Sequence, residues 1–171
     1  MTGNWLLSGL PGPGRNRARM EWDKNQATLI PTGTLFAAVK LPGRLMLAAA
    51  SQQEAPSPRL DEFLREALVG GTPVICDPRS LTYYALVPAG LPVMWRRAAV
   101  AWRYVGVECL GRTSYVGVPR PDITEFDPET RSSYWAVPMI GMGLLGDVAA
   151  VARLIAAGCH EPAEEAGHAQ A

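Results

Sequence analysis

Short runs rich in β-branched and aromatic residues, each closed by a Gly, Pro or Asp cluster, recur between Ala27 and Val137. That rhythm calls for strands joined by tight turns. Ala27–Pro31 and Leu35–Leu41 read as two strands around Thr32-Gly33-Thr34. Pro73–Asp77 and Leu81–Val87 predict a hairpin about Asp77-Pro78-Arg79-Ser80, since proline suits the second turn position. Val105–Leu110 and Ser114–Val118 predict a second hairpin about Gly111-Arg112-Thr113. Ser133–Val137 reads as one further strand.

Helical signals interrupt this series. Gly43–Ala50 continues as a helix, and residues 51–57 are a polar, proline-bearing loop. Ser57 can cap a helix whose first position is Pro58, with Leu60, Phe63, Leu64, Ala67 and Leu68 on one face and Gly70-Gly71 as its end. A last helix is expected from Val148 to Ala157, capped by Asp147 and stopped by Gly158. Strands with a few interleaved helices and two adjacent hairpins predict an α+β domain with a mixed or antiparallel sheet, not a doubly wound one.

A chain of 171 residues suits one domain, and 48% hydrophobic content suits a packed core. Residues 1–24 hold Gly9, Pro11, Gly12, Pro13 and Gly14 followed by Arg15, Arg17 and Arg19, which predicts a flexible basic arm. The domain proper is expected over residues 25–158, and 159–171 reads as a disordered tail.

The net charge is zero, but it is unevenly spread. Residues 79–120 hold six arginines against one acid, Glu108, while Asp122 to Glu129 is acidic. A neutral average can hide a basic face for phosphates, or arginines that simply solvate sheet edges. Three cysteines without CxxC spacing argue against a disulfide framework or a zinc ribbon. No segment reads as a signal peptide, and the longest apolar run, Trp135 to Leu145, falls short of a membrane span. The expectation is a cytoplasmic protein without a membrane partner.

Gly141-x-Gly143-x-x-Gly146 matches the spacing of a dinucleotide fingerprint, yet a disordered tail is expected where that fold needs a second strand carrying an acid. Trp95-Arg96-Arg97 and Trp102-Arg103-Tyr104 interleave aromatics with arginines, as base-stacking segments do. The plainer reading packs both tryptophans in the core and leaves the arginines in water. Both histidines, His160 and His168, sit in the tail and no GxSxG occurs, which sets triad chemistry aside.

Three segments in order, PTGTLFAAVKLP (31–42), TPVICDPRSLTYYALVP (72–88) and VECLGRTSYVGVPRP (107–121), resemble the amino-terminal catalytic domain of bifunctional DNA primase/polymerases, of the archaeo-eukaryotic primase superfamily. The resemblance covers roughly residues 25–157. It implies two acids on the first strand for divalent metals, but Ala37-Ala38-Val39-Lys40 stands there. It implies a histidine in the second motif, where this chain has Thr82, Tyr83 and Tyr84. It implies one acid in the third motif, and Glu108 fits that place.

One glutamate does not organise a two-metal site, and Lys40 near it repels a cation. The resemblance therefore points to a degenerate, non-catalytic relative with no cofactor, retaining affinity for single-stranded DNA or nucleotide. Its candidate contacts are Arg79, Arg96, Arg97, Arg103, Arg112 and Lys40, the last able to pair with Glu108 instead. The second reading is a protein-binding scaffold or regulatory module on the same fold. A third keeps nucleotidyl transfer through Glu108 and a divalent metal.

Overall fold

The computed structural model describes residues 2–169, with side chains described through His160. Two helices open the chain, α1 (Thr2–Leu7) and α2 (Gly12–Asn25), followed by β1 (Ala27–Pro31), β2 (Ala37–Pro42), α3 (Gly43–Ala50) and α4 (Pro58–Ala67). The hairpin β3 (Val74–Asp77) and β4 (Thr82–Val87) comes next, then α5 (Leu91–Met94), α6 (Arg96–Trp102) and a 3-10 turn at Arg103–Val105. The chain closes with β5 (Glu108–Leu110), β6 (Tyr115–Pro119), β7 (Tyr134–Val137) and α7 (Val148–Ala169).

These elements build an α+β fold around two antiparallel sheets. The larger has the order β5-β2-β4-β3-β7, and the smaller pairs β1 with β6. Alternation along β2 explains why its run is apolar on both sides. Val39 and Leu41 face α3, α4 and α7 through Leu45, Met46, Leu60, Leu64, Val151 and Leu154. Ala38 faces the other way, with Ile75, Leu86 and Trp135, toward Leu6, Leu7, Trp22 and the β1–β6 ribbon. The sheet is thus covered on both faces.

Local signals hold where they are strongest. Ser57 Oγ accepts the Leu60 N–H at 3.1 Å and Pro58 opens α4, as the capping chemistry requires. The β3–β4 hairpin pairs Asp77 with Thr82, and Asp77 Oδ1 accepts the Arg79 N–H at 3.1 Å to fix the turn.

The second expected hairpin does not form. β5 pairs with β2 and β6 pairs with β1, so residues 111–114 carry the chain from one sheet to the other. The Thr32 N–H donates to Ser114 O at 2.9 Å, tying this crossing to the β1–β2 link. Gly33, at φ +97°, lies so close that a Cβ would stand 2.8 Å from the Arg112 nitrogen.

The flexible arm expected over residues 1–24 is also overturned: it is α1 and α2, packed on the sheet. Pro13 falls in the first turn of α2, where its missing N–H costs no hydrogen bond. Leu6, Leu7, Ala18 and Trp22 are buried, and Trp22 Nε1 donates to Val118 O at 2.9 Å. Gly158 does not stop α7, and the tail expected from residue 159 continues as helix to Ala169; residues 170–171 lie outside the described ones. Gly158 is instead buried where α7 crosses α3, and a Cβ there would come within 2.6 Å of Leu45 O.

A polar junction lies under α4. Tyr134 OH donates to the Asp61 carboxylate, 3.1 and 3.0 Å from its two oxygens. Burial pushes the Asp61 carboxyl up from 3.8 to about 6, against the opposing pull of Tyr134 and Arg65. A raised pKa favours the protonated acid in the fold, so its stabilisation is complete below about pH 4 and lost as pH rises through about 6. Asp61→Asn is expected to flatten this dependence, gaining about 1 kcal/mol on the parent between about pH 4 and pH 7, with solvent screening allowed for. Urea unfolding of both proteins at the two pH values checks it.

Candidate functional site

Of the residues singled out by sequence, Arg96, Arg103 and Glu108 come together. They line a cleft of about 480 Å³ between α6 and β5. Positions 96, 99, 100 and 103 make one helical stripe at i, i+3, i+4 and i+7, so Arg96, Ala99, Val100 and Arg103 form one wall. Glu108 and Cys109 form the other.

The wall is held by the core behind it. Trp95 and Trp102 stack with ring centroids 6.2 Å apart and pack against the larger hydrophobic cluster, as the plainer reading of this segment expected. The Val107 N–H donates to Trp102 O at 3.0 Å, which joins the end of α6 to the start of β5. Arg44, which the sequence did not single out, donates from Nη2 to Val105 O at 3.0 Å and braces the 3-10 turn. No local pattern announces a contact between residues so far apart in the chain.

The cleft's position follows from strand alternation. Consecutive residues of β5 point to opposite faces, so a cleft touching both Glu108 and Cys109 runs along the strand's edge. Glu108 is exposed, whereas Cys109 is partly buried against the core. Burial pushes the Cys109 thiol up, and Arg103 only partly offsets it, so this sulfur is a poor nucleophile at neutral pH.

The remaining candidates lie elsewhere. Lys40 faces Glu108 on one side and Tyr84 on the other in the sheet register, half-buried. It makes no ion pair with Glu108 within 4.0 Å; the pairs among the described residues are Arg17–Glu21, Arg65–Glu62 and Arg120–Asp122. Arg97 is exposed on α6 outside the cleft. Arg79 sits at the β3–β4 turn, its Nη2 on Thr130 O at 3.4 Å. Arg112 lies in the crossing after β5, beside Gly33.

The glycines of the fingerprint-like loop serve packing. Gly143 lies against Trp5, Gly146 against Thr72, and the Gly146 N–H is taken by Leu86 O at 2.8 Å. The two-metal centre implied by the resemblance does not fit the donors present. Among the described residues no three His, Cys, Asp or Glu side chains group closely enough to hold an ion, and the strand neighbour of Glu108 is a lysine.

The surface beside the cleft is apolar and basic. Tyr104 is 90% exposed, Met94 79% and Val93 70%, alongside Arg96, Arg97 and Arg103. Residues 78–107 contain no acid. Among the described residues, no helix is long and apolar enough to cross a membrane.

No family model matches the chain, and neither a curated protein nor a solved structure matches it.

Proposed function

We propose that this chain is a non-catalytic binding module of the primase/polymerase-like type, and that its ligand is a protein held at the cleft between α6 and β5. The observation that carries this reading is the exposed surface of residues 93–104. Exposed Val93, Met94, Val100 and Tyr104 are interspersed there with Arg96, Arg97 and Arg103 without a single Asp or Glu, the composition that marks interface centres. Exposed apolar side chains gain most from being covered by a partner.

A second reading, affinity for single-stranded nucleic acid or nucleotide, draws on Arg96 and Arg103 in the cleft. It is weakened by the scatter of the other cations. Arg79, Arg97, Arg112 and Lys40 do not line the cleft, whereas Glu108, an acid that repels phosphate, does.

The deciding experiment retains proteins from nuclease-treated lysate on the immobilised full chain and on its Arg96→Glu, Arg103→Glu variant. The expected result is one protein held by the parent and lost by the variant. In parallel, a labelled dT oligonucleotide should show no salt-sensitive anisotropy change. Tight, salt-sensitive oligonucleotide binding with no protein retained would replace this reading with the second one.

A further inference from the structure

We infer that the free edge of β5 takes an extended acidic peptide as an added strand, with Arg96 and Arg103 holding the peptide's carboxylates. This rests on the protein-binding reading and names the chemistry of the partner.

β5 is an outermost strand of the five-stranded sheet and pairs only with β2. Among the described residues, no further backbone group outside the sheet hydrogen-bonds Glu108–Leu110. An edge strand so placed presents unpaired N–H and C=O groups, the template for strand addition. The opposite edge differs: on β7 the Trp135 N–H already donates to Ile123 O at 2.8 Å.

The cleft lies where an added strand would run, because it touches residues whose side chains leave opposite faces of β5. Its dimensions agree with that use. Arg96 and Arg103 are separated by about 10 Å along the helix, between the about 7 and 13 Å that part side chains two and four residues on along one face of a strand. Both arginines line the cleft together with Glu108.

Charge selects the occupant. Both arginines favour an anionic chain, while Glu108 disfavours one charged at every repeat. A phosphodiester strand carries a charge at every unit and has no backbone N–H to give to the edge carbonyls. A peptide supplies alternating donors and acceptors, and can place a neutral side chain opposite Glu108. Ala99 and Val100 between the arginines offer that side chain an apolar floor.

The probe is a fluorescein-labelled peptide, Glu-Thr-Val-Thr-Glu, whose alternation puts both carboxylates and the valine on one face, titrated into the full chain and followed by anisotropy. Its comparators are the same peptide N-methylated at alternate residues, Lys-Thr-Val-Thr-Lys, and a dT oligonucleotide. Salt-sensitive binding of the acidic peptide is expected, weakened about tenfold by N-methylation through the loss of backbone hydrogen bonds. Arg96→Glu with Arg103→Glu should weaken it at least as much, and the amide resonances of Glu108–Leu110 should shift on binding. Because N-methylation alters the peptide and not the protein, that comparison does not depend on a variant folding. Equal affinity for the N-methylated peptide would overturn strand addition while leaving an acidic protein ligand in place. No binding of any peptide, with salt-sensitive binding of the oligonucleotide, would overturn both the inference and the reading beneath it.

Discussion

Replacing Leu6 and Leu7 together with alanine is expected to destabilise the protein by about 4 kcal/mol or more, since each buried Leu→Ala change costs about 2–5 kcal/mol. Both side chains are fully enclosed, at 0% and 1% exposure, in the cluster between the sheet and its amino-terminal cover. A flexible arm, which the Gly/Pro-rich sequence suggests, would tolerate the change with an effect near zero. The two accounts therefore differ by nearly the whole stability of an ordinary domain. Urea unfolding monitored by tryptophan fluorescence measures the difference, with Trp5, Trp22 and Trp135 in or against the same cluster. A midpoint unchanged by the double substitution would detach α1 from the core.

Trp135→Ala is expected to cost about 3–5 kcal/mol, as large aromatic truncations in a core do. Trp135 is 1% exposed and belongs to β7 of the larger sheet, yet its Nε1 donates to Pro119 O on β6 of the smaller one, at 3.1 Å. Truncation removes packing and also leaves a buried carbonyl without its donor. Trp135→Phe separates the two effects. It keeps most of the apolar volume and loses the hydrogen bond, for an expected cost of about 1–3 kcal/mol. Thermal or urea unfolding of the pair checks this, and nearly equal costs for the two variants would mean that the hydrogen bond outweighs the packing.

Much of the secondary structure was legible because its signals are short-range. Ser57 and Pro58 sit next to the turn they start, and Asp77 closes a turn two residues away. The strands of the β3–β4 hairpin meet through that turn, so reading it suffices to pair them. The apparent second hairpin shows the limit of such signals. Val105–Leu110 and Ser114–Val118 carry the same apolar pattern around a glycine-bearing turn, yet β2 and β1 compete for those strands from far along the chain. Pairing with a distant strand leaves no trace in the turn.

The candidate site was legible in part for the same reason. The alternation of aromatics and arginines in residues 95–104 marks a helix with a core side and a solvent side, and Trp95 and Trp102 do pack inward. That Arg96 and Arg103 share a cleft with Glu108, and that Arg79 and Arg112 do not, depends on where α6 lies relative to β5. Arg44 and the junction of Asp61 with Tyr134 had no signal at all, because each joins elements far apart in sequence.

Capping, turn chemistry and apolar periodicity act over a few residues, and they suffice to read the α+β class, the capped helix α4 and the β3–β4 turn from the chain. Long-range packing makes the amino-terminal segment a cover and Gly158 the point where two helices cross. The same packing parts β5 from β6 and leaves β5 at the edge of its sheet beside two arginines. These outcomes turn on which distant surfaces bury one another, and burial at a distance is not written in any short stretch of chain.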